Sequence, residues 1–581
     1  MVKHKGWEAA CALRAAAFAS ACGPAWLIWQ YGVDVPFLDQ WGVAHFFPKL
    51  AEGSLTLSDL FEQQNEYRQF FPNLIFVATG WLTRWDVRYE MLISFLLACL
   101  VAFNIQCLGA YTIAAPLRRG VLYLLASLFI FSAIQFENWV FGVQVVYFMP
   151  VACVTSQLLL AYNKKVEAPV LLIACACLAV VGIFSSPNGL LCWVILPLAL
   201  LAVRPEMRRT VWRWLPLWVL GMALCVAAYA YGYRSPVLHP STSIALQRPV
   251  DAALYFVSLL GGPFAVGRWP LVLAFISGAF ALSAYLLLCV YLIKFKDDCK
   301  LIRRTAPWMA LGAYSLGTAA MVTVGRLGFG VSQSLSTRYT TFTLYLFVAL
   351  VYMLPCVLEN AYGRGYFSVS RRMLLRRVGA LATGAFVLAH LTIFALVLRH
   401  NANEWRRGLL RAKACLLFIE SAPDESCLAR GLYPDVRLLR ERVEALAQIG
   451  YLRPPLVRNG QLRDLAASAD CSDRYGSFEL LSVGGDQYRA SGHAWLPERG
   501  DPADVVVLAY GPSDEEQTAF ALAEPSVDRE GAHGDKAHWL KVFSVDPKLN
   551  GPQLKLTAWA FDAEGGHAYR LCGMQTTHPH D

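Results

Sequence analysis

Long apolar windows separated by short charged loops run through the chain up to residue 398. A window of about 17 to 25 residues crosses the roughly 30 Å of a bilayer's hydrocarbon as a helix. Such windows recur near residues 9–30, 88–113, 121–135, 145–162, 168–184, 190–203, 214–231, 270–293, 307–324, 341–358 and 378–398. The pattern predicts an α-helical polytopic membrane protein with about eleven transmembrane helices.

A polar stretch from residue 31 to residue 87 interrupts this pattern after the first window. Within it, residues 43–50 and 55–64 alternate apolar and polar groups at helical spacing, which predicts short helices lying on the membrane surface. Residues 71–82 are apolar, but the segment is too short to cross, as is 252–260 further along. We therefore expect surface helices in both places.

The pattern changes again after residue 399. Residues 400–455 show helical periodicity, with Val436, Leu439, Val443 and Leu446 on one face. Residues 456–581 hold short apolar strands separated by Gly, Pro and acidic turns, which is typical of a β-sandwich. The predicted domains are a transmembrane domain (1–399) with its first outward loop at 31–87, a helical connector (400–455) and a β-sandwich (456–581).

Composition and charge support this reading. Hydrophobic residues make up 56% of the 581, charged residues 16%, and the mean hydropathy is +0.42, too apolar for a soluble chain of this length. Alternate loops hold about twenty Lys and Arg against about nine in the others. The positive-inside rule then predicts a cytoplasmic N-terminus and an outward-facing tail. The net charge of +9 therefore needs no nucleic-acid partner.

Four of the 16 cysteines fall in the predicted outer tail. An oxidising compartment favours disulfides there. Their order suggests one bridge between Cys415 and Cys427 and another between Cys471 and Cys572, although four cysteines allow three pairings.

Polar chemistry is concentrated in the outward loops. Eight of the predicted spans, from 121–135 to 341–358, contain no Asp, Glu, Lys or Arg, whereas ion-coupled carriers keep ionisable groups near the bilayer midplane. This argues against transport. The loops supply carboxylates suited to accept a proton and arginines whose planar fork matches phosphate oxygens. No GxxxxGK[ST], GxSxG or zinc-spaced CxxC occurs.

Several loop motifs resemble those of bacterial polytopic glycosyltransferases of the GT-C class. They are DVPFLDQW, NEYRQFFPN, FENWVFGVQ, SSPNGL and a GR followed by STRY. The class includes lipid A aminoarabinose transferases, protein O-mannosyltransferases, and bacterial cell-wall or pilin arabinofuranosyltransferases. The resemblance covers about residues 1–400. It implies transfer of a sugar from a polyprenyl-phosphate carrier, with inversion, to a hydroxyl of a periplasmic glycan, lipid or pilin-like protein.

The resemblance also assigns roles by position. Asp39 is the expected general base with Asp34 second, because Pro36 and Asp39 match the P-x-x-D pattern. Glu66 is the expected later acid of the same loop. Gln40 stands where the class usually has a second acid, so the use of a divalent metal stays open. The expected binding groups for the donor phosphate and sugar are Arg68, Arg326, Arg338, Tyr339, Glu137, Asn138, Asn188, Arg268 and His239. An arabinofuranose or another pentose is the implied sugar.

Structural readings compete with these assignments. Asp34 or Asp39 can cap the surface helix that begins near Trp41. Arginines beside spans can snorkel to the interface, and Asn188 suits a turn. At the level of function, the alternatives are a transporter or flippase of lipid-linked sugar with an outer glycan-binding domain, and an assembly scaffold without activity.

Overall fold

A computed structural model describes residues 2–236, 239–468, 470–484, 487–513, 516–527, 537–544 and 555–575. The described chain is mostly helical and ends in β-sheets. It divides into two compact units. The first unit comprises Met1–Gly32, Thr56–Ala78 and Arg88–Ala402, and the second comprises Val33–Leu55, Thr79–Val87 and Asn403–Asp581.

The first unit is a helical bundle. Its longer helices are α1 (Val2–Ala19), α2 (Cys22–Tyr31), α5 (Phe70–Thr83), α6 (Arg88–Thr112), α7 (Pro116–Ile130), α9 (Val145–Tyr162), α10 (Ala168–Ile183), α11 (Leu190–Val203), α12 (Arg208–Ala230), α14 (Pro249–Leu260), α15 (Pro270–Lys294), α16 (Cys299–Arg326), α17 (Thr340–Gly363) and α18 (Val369–Val397). Helices of a single turn are α4 (Leu57–Leu60), α8 (Phe136–Trp139) and α13 (Ile244–Gln247).

Eight helical segments among the described residues are long and apolar enough to cross a membrane. They are Glu8–Tyr31, Arg88–Thr112, Pro116–Trp139, Gly142–Tyr162, Pro205–Ala230, Pro270–Lys294, Thr337–Gly363 and Val369–Leu417. Two other predicted spans form the shorter helices α10 and α11, of 16 and 14 residues, and a third forms the less apolar α16. The polytopic helical class is confirmed, and the number eleven stays a prediction.

The expected surface helices are present as helices. Residues 43–50 and 55–64 contain α3 (Phe46–Ala51) and α4, while 71–82 and 252–260 lie in α5 and α14. Each has 14 residues or fewer. Because a helix rises 1.5 Å per residue, none of them matches the thickness of the hydrocarbon.

Close backbone packing shapes the loop that joins α10 to α11. A Cβ atom on Gly189 would lie 2.0 Å from the carbonyl carbon of Gly182. Only glycine permits this approach. The contact brings the start of α11 against the end of α10, next to the buried Asn188.

The second unit combines two pieces of the polar loop with the C-terminal helices and strands. Its helices are α3, α19 (Asn403–Leu417), α20 (Glu425–Gly431) and α21 (Val436–Gln448). The backbone N–H of Leu38 donates to the Leu432 carbonyl at 2.8 Å, and the rings of Phe37 and Trp405 lie 5.3 Å apart. The first part of the polar loop therefore packs with the residues beyond 402, and the predicted boundaries at 399 and 455 stay a prediction.

Among the described residues of the sandwich, eleven strands form two sheets, as expected. They are β1 (Ala466–Ser468), β2 (Gly476–Gly484), β3 (Gln487–Leu496), β4 (Asp501–Pro502), β5 (Val505–Gly511), β6 (Thr518–Ala523), β7 (Pro525–Val527), β8 (Ala537–Ser544), β9 (Lys555–Asp562), β10 (His567–Arg570) and β11 (Cys572–Gln575). The sheet orders are β1-β10-β9-β5-β6 and β11-β2-β3-β8-β7, with β4 beside β3. A shared core that includes Phe478, Leu508 and Trp539 joins the sheets.

Both predicted disulfides are confirmed. Cys415 in α19 pairs with Cys427 in α20, and Cys471 pairs with Cys572 at the start of β11. The second bridge ties the beginning of the sandwich to its last described strand.

A buried ion pair closes one end of the sandwich. Arg499 donates from Nη1 and Nη2 to the two carboxylate oxygens of Asp504 at 2.9 and 3.1 Å, and from Nη1 to Asp562 at 2.7 Å. Burial raises the pKa of Asp504, and the Arg499 guanidinium opposes that shift. The charge on Asp504 therefore depends on Arg499.

We expect Arg499→Met to destabilise the second unit by about 3 to 5 kcal/mol, because removing one partner leaves the other charge buried alone. Thermal unfolding of the purified full chain, followed by protease sensitivity of the sandwich, measures the change. The control is Arg458→Met, whose partner Glu444 is exposed, and its unfolding midpoint should match the unsubstituted chain. Equal midpoints for both variants would show that the buried ion pair of Arg499 with Asp504 does not stabilise the second unit.

Candidate active site

Three loops lie at the same end of the helical bundle. They join α7 to α9, α10 to α11, and α16 to α17, and each contains short 3-10 turns: Ala133–Gln135 and Gly142–Gln144, Pro187–Gly189, and Leu327–Phe329, Val331–Leu335 and Thr337–Tyr339. The turns Ala133–Gln135 and Thr337–Tyr339 contact each other. Tight turns place polar side chains over the ends of apolar helices.

The first charged pair of the site joins two of these loops. The Arg338 Nε atom lies 3.3 Å from Oε1 of Glu137, and the Thr337 hydroxyl donates to Glu137 Oε2 at 2.8 Å. Glu137 is 9% exposed, and 30% of the Arg338 side chain is exposed. Both oxygens of the carboxylate thus have a partner, while part of the Arg338 side chain is exposed.

The second charged group brings together three residues that are far apart in sequence. Arg326 Nη2 contacts Oε1 of Glu66, and His239 Nε2 lies 3.4 Å from Oε2 of the same carboxylate. Arg326 Nη1 lies 3.2 Å from His239 Nδ1. The same Nη1 lies 3.4 Å from His239 Nε2, and because a guanidinium only donates, the ring nitrogen that accepts depends on the His239 tautomer. All three side chains are about five-sixths buried, with 16 to 17% exposed.

Arg68 is bound to backbone rather than to an acid. Its guanidinium donates to the carbonyls of Tyr229 at 2.9 Å, Phe61 at 3.0 Å and Tyr231. Two of these carbonyls lie at the C-terminal end of α12, where helix carbonyls lack helical partners. The Tyr229 hydroxyl in turn donates to the Glu66 carbonyl at 2.8 Å. Arg68 and Tyr229 therefore fasten the segment that carries Glu66 to α12.

The remaining predicted binding residues occupy varied surroundings. Asn138 is fully buried and donates to the Arg338 carbonyl at 2.8 Å. Asn188 donates to the Tyr314 hydroxyl at 2.9 Å, and its own side-chain carbonyl oxygen is buried without a hydrogen-bond partner. Tyr339 is 4% exposed. Arg268 is exposed, with its guanidinium carbon 5.6 Å from the Trp269 ring centre.

Both predicted catalytic aspartates belong to the second unit. Asp39 is exposed in the first turn of a 3-10 helix, Leu38–Gly42. Leu38 holds a positive φ of 41°, which is uncommon for a branched residue. Asp34 is half-buried, accepts from the Val87 N–H at 3.3 Å, and lines a small cavity with Lys413.

Metal ligands do not converge within the part of the chain that the structure describes. No group of three or more His, Cys, Asp or Glu side chains there could hold an ion. Glu66 and His239 contact each other, but the third side chain at this contact is Arg326, a cation that cannot act as a metal ligand. The groups that we can assign are therefore acids, arginines and hydrogen-bond donors.

Some participants were missed by sequence reasoning. Thr337 donates to Glu137 and lies inside the STRY motif, so the sequence could have indicated it as a site residue. Gln135 and Thr341 are joined by a side-chain hydrogen bond of 2.5 Å. Thr341 begins an apolar helix, where a threonine carries no signal of its partner.

Comparison with known proteins adds little. No family model and no curated protein matches the chain. A solved structure titled "Crystal Structure of ArnT from Cupriavidus metallidurans in the apo state" matches 58% of this chain and 77% of its own, with 15% identity and a TM-score of 0.27. A likeness of this extent carries no functional argument.

Substituting Arg68 tests whether it holds structure or ligand. We expect Arg68→Gln to lower the stability of the first unit by about 2 to 3 kcal/mol, because buried carbonyls lose a charged donor. Thermal unfolding in detergent measures this. Arg268→Gln, at an exposed arginine, is the control and should leave the midpoint unchanged. An unchanged midpoint for Arg68→Gln, with weakened binding of polyprenyl phosphate, would instead favour a phosphate-binding role.

Proposed function

We propose that this chain is an inverting membrane glycosyltransferase that uses a polyprenyl-phosphate monosaccharide. The observation that carries the proposal is the pair of acid–arginine groups, Glu137 with Arg338 and Glu66 with Arg326, at one end of an apolar bundle. A lipid phosphate needs an apolar path for its chain and cations for its headgroup. The bundle and the two arginines offer both.

In the proposed reaction, the acceptor hydroxyl attacks the anomeric carbon of the donor sugar. The proton of that hydroxyl passes to the Asp39 carboxylate, the new glycosidic C–O bond forms, and the bond between the anomeric carbon and the phosphate oxygen breaks. The polyprenyl phosphate leaves with the bonding electron pair. Its negative charge is stabilised by Arg338 and Arg326, because a guanidinium fork matches phosphate oxygens.

The acids beside the arginines have a supporting role in this proposal. Glu66 has one oxygen on Arg326 and the other beside His239, and Glu137 is bound by Thr337 and Arg338. A carboxylate held in this way orients its partner's guanidinium. The resemblance of the first-loop motif implies Asp39 as the proposed base, with Asp34 as the second candidate.

Donor, acceptor and setting complete the proposal. Loop resemblance favours arabinofuranose or another pentose as the sugar, and a glycan, a lipid or a pilin-like protein outside the cytoplasm as the acceptor. The chain would lie in a bacterial inner membrane with its N-terminus in the cytoplasm. No tightly bound cofactor is required, and metal dependence is tested by adding EDTA to the same assay.

Asp39→Asn should lower the rate of sugar transfer by about 10² to 10⁴-fold, the usual contribution of a general base. The assay follows radiolabelled pentose from synthetic polyprenyl phosphate to acceptor, with the purified chain in lipid nanodiscs. Asp59→Asn is the matched control, because Asp59 lies in the same polar loop and its carboxylate accepts hydrogen bonds from the backbone N–H and the hydroxyl of Thr56. Full activity of Asp39→Asn would exclude it as the base. Movement of intact lipid-linked sugar across vesicles without cleavage would favour a flippase.

The exposed thiol of Cys299 tests the proposed orientation. It lies at the start of α16, in the Lys- and Arg-rich connection from α15. A membrane-impermeant maleimide should label it in inside-out vesicles and not in intact spheroplasts. Cys299→Ala supplies the background from the other thiols. The reverse labelling would place this loop outside and invert the proposed topology.

A further inference from the structure

We propose that Gln135, Asn138 and Thr341 are positioning residues that align the Arg338 guanidinium with Glu137. The inference rests on the proposed function, in which Arg338 binds the donor phosphate. These three side chains lie between the loop that carries Glu137 and the start of α17. None of them needs to touch substrate.

The three residues form a continuous chain of hydrogen bonds. Asn138 Nδ2 donates to the Thr341 hydroxyl at 2.5 Å, and that hydroxyl donates to Gln135 Oε1 at 2.5 Å. Gln135 Nε2 then donates to the Ile130 carbonyl at 2.7 Å, at the end of α7. The series of donors and acceptors therefore runs in one direction, from Asn138 through Thr341 and Gln135 to the end of α7.

Its direction is determined by which atoms can donate. Both Asn138 Nδ2 protons are used, one on Thr341 and one on the Arg338 carbonyl at 2.8 Å. An amide nitrogen cannot accept, so the Thr341 hydroxyl must donate onward to Gln135. All three side chains are 1% exposed or less. Water cannot replace a lost member without disturbing the packing.

This chain holds Arg338 from two sides. Asn138 fixes the backbone of Arg338 and directly follows Glu137, while Thr341 lies three residues beyond Arg338. The Thr337 hydroxyl adds a bond from the preceding residue to Glu137. Consequently, the backbone positions that carry the acid and the guanidinium are joined through the buried amide and hydroxyls.

The loop itself is braced against the bundle. The indole N–H of Trp139 donates to the Ser132 carbonyl at 3.0 Å, and the Ser132 hydroxyl accepts from the Ile134 N–H at 3.3 Å. Trp139 is fully buried. The segment 132–139 is thus closed on itself. Asn138 and Thr341 join this segment to the one that carries Arg338, whose Nε also donates to the Ser336 hydroxyl at 3.2 Å.

Such alignment matters because small displacements of a binding group carry large kinetic costs. A shift of about 1 Å at a remote support can reduce a rate by roughly 10²-fold. Glu137 and Arg338 are in contact at 3.3 Å. Losing the buried bonds should therefore weaken the match between the guanidinium and the leaving phosphate.

Replacing the Thr341 hydroxyl by a methyl group tests the chain. Thr341→Val should lower kcat/KM for the polyprenyl-phosphate donor at least tenfold, with the acceptor KM unchanged. Thr341→Ser keeps the hydroxyl and should restore activity to within about threefold. The matched control is Thr343→Val, in the same helix and equally buried, whose hydroxyl bonds only the nearby Thr340 carbonyl. That variant should keep full activity.

A double-mutant cycle separates positioning from plain stability. Lysine has no planar guanidinium for the hydrogen bonds to align. In an Arg338→Lys background, Thr341→Val should therefore lower kcat/KM by less than threefold. A purely structural role predicts the same fold loss in both backgrounds and would overturn the proposal. Should Thr341→Val fail to purify folded, Gln135→Met removes the acceptor of the same hydroxyl and replaces it in the cycle.

The outcomes also separate this inference from the proposed function. Absence of transfer by the unsubstituted chain would overturn the glycosyltransferase proposal and this inference with it. Transfer by the unsubstituted chain, with Thr341→Val as active as Thr343→Val, would overturn the positioning role alone.

Discussion

A charge that leaves water must find a partner, and this requirement organises the loop end of the helical bundle. Glu66 and Glu137 are largely buried, and each contacts an arginine from the α16–α17 connection or its edge. An unpaired carboxylate in such surroundings would cost several kcal/mol. The loops therefore fold so that acids from residues 66 and 137 meet cations from residues 326 and 338.

Hydrogen bonds to backbone carbonyls complete the arrangement. Asn138 donates to the Arg338 carbonyl, Tyr229 donates to the Glu66 carbonyl, and the Arg68 guanidinium binds the end of α12. These bonds join segments that are far apart in sequence. The Arg338 side chain is 30% exposed, so it combines a contact with the buried Glu137 with partial access to solvent. This combination suits a group that binds a phosphate and then releases it.

Much of the architecture was predictable because it follows from local pattern. Apolar length predicts the membrane helices, alternation predicts the strands, and the order of Cys415, Cys427, Cys471 and Cys572 suggested the pairing that the structure shows. Contacts between residues that are far apart in sequence were harder to predict. Arg68 reads as a loose cation, and only the folded chain places three carbonyls around it. Likewise, the grouping of Leu38 with Leu432 depends on a contact between distant residues, which periodicity does not encode.

Both guanidinium groups of the candidate site border one short stretch of chain. Arg326 ends α16, Arg338 precedes α17, and the 3-10 turns of residues 327–337 separate them. The distance between the two cations is therefore set by the length and coiling of this connection rather than by the helices. An insertion or deletion within it would change the distance between the two guanidinium groups while leaving the membrane helices unaltered. Under the proposed function, this connection would therefore determine which lipid-linked donor fits between the two arginines.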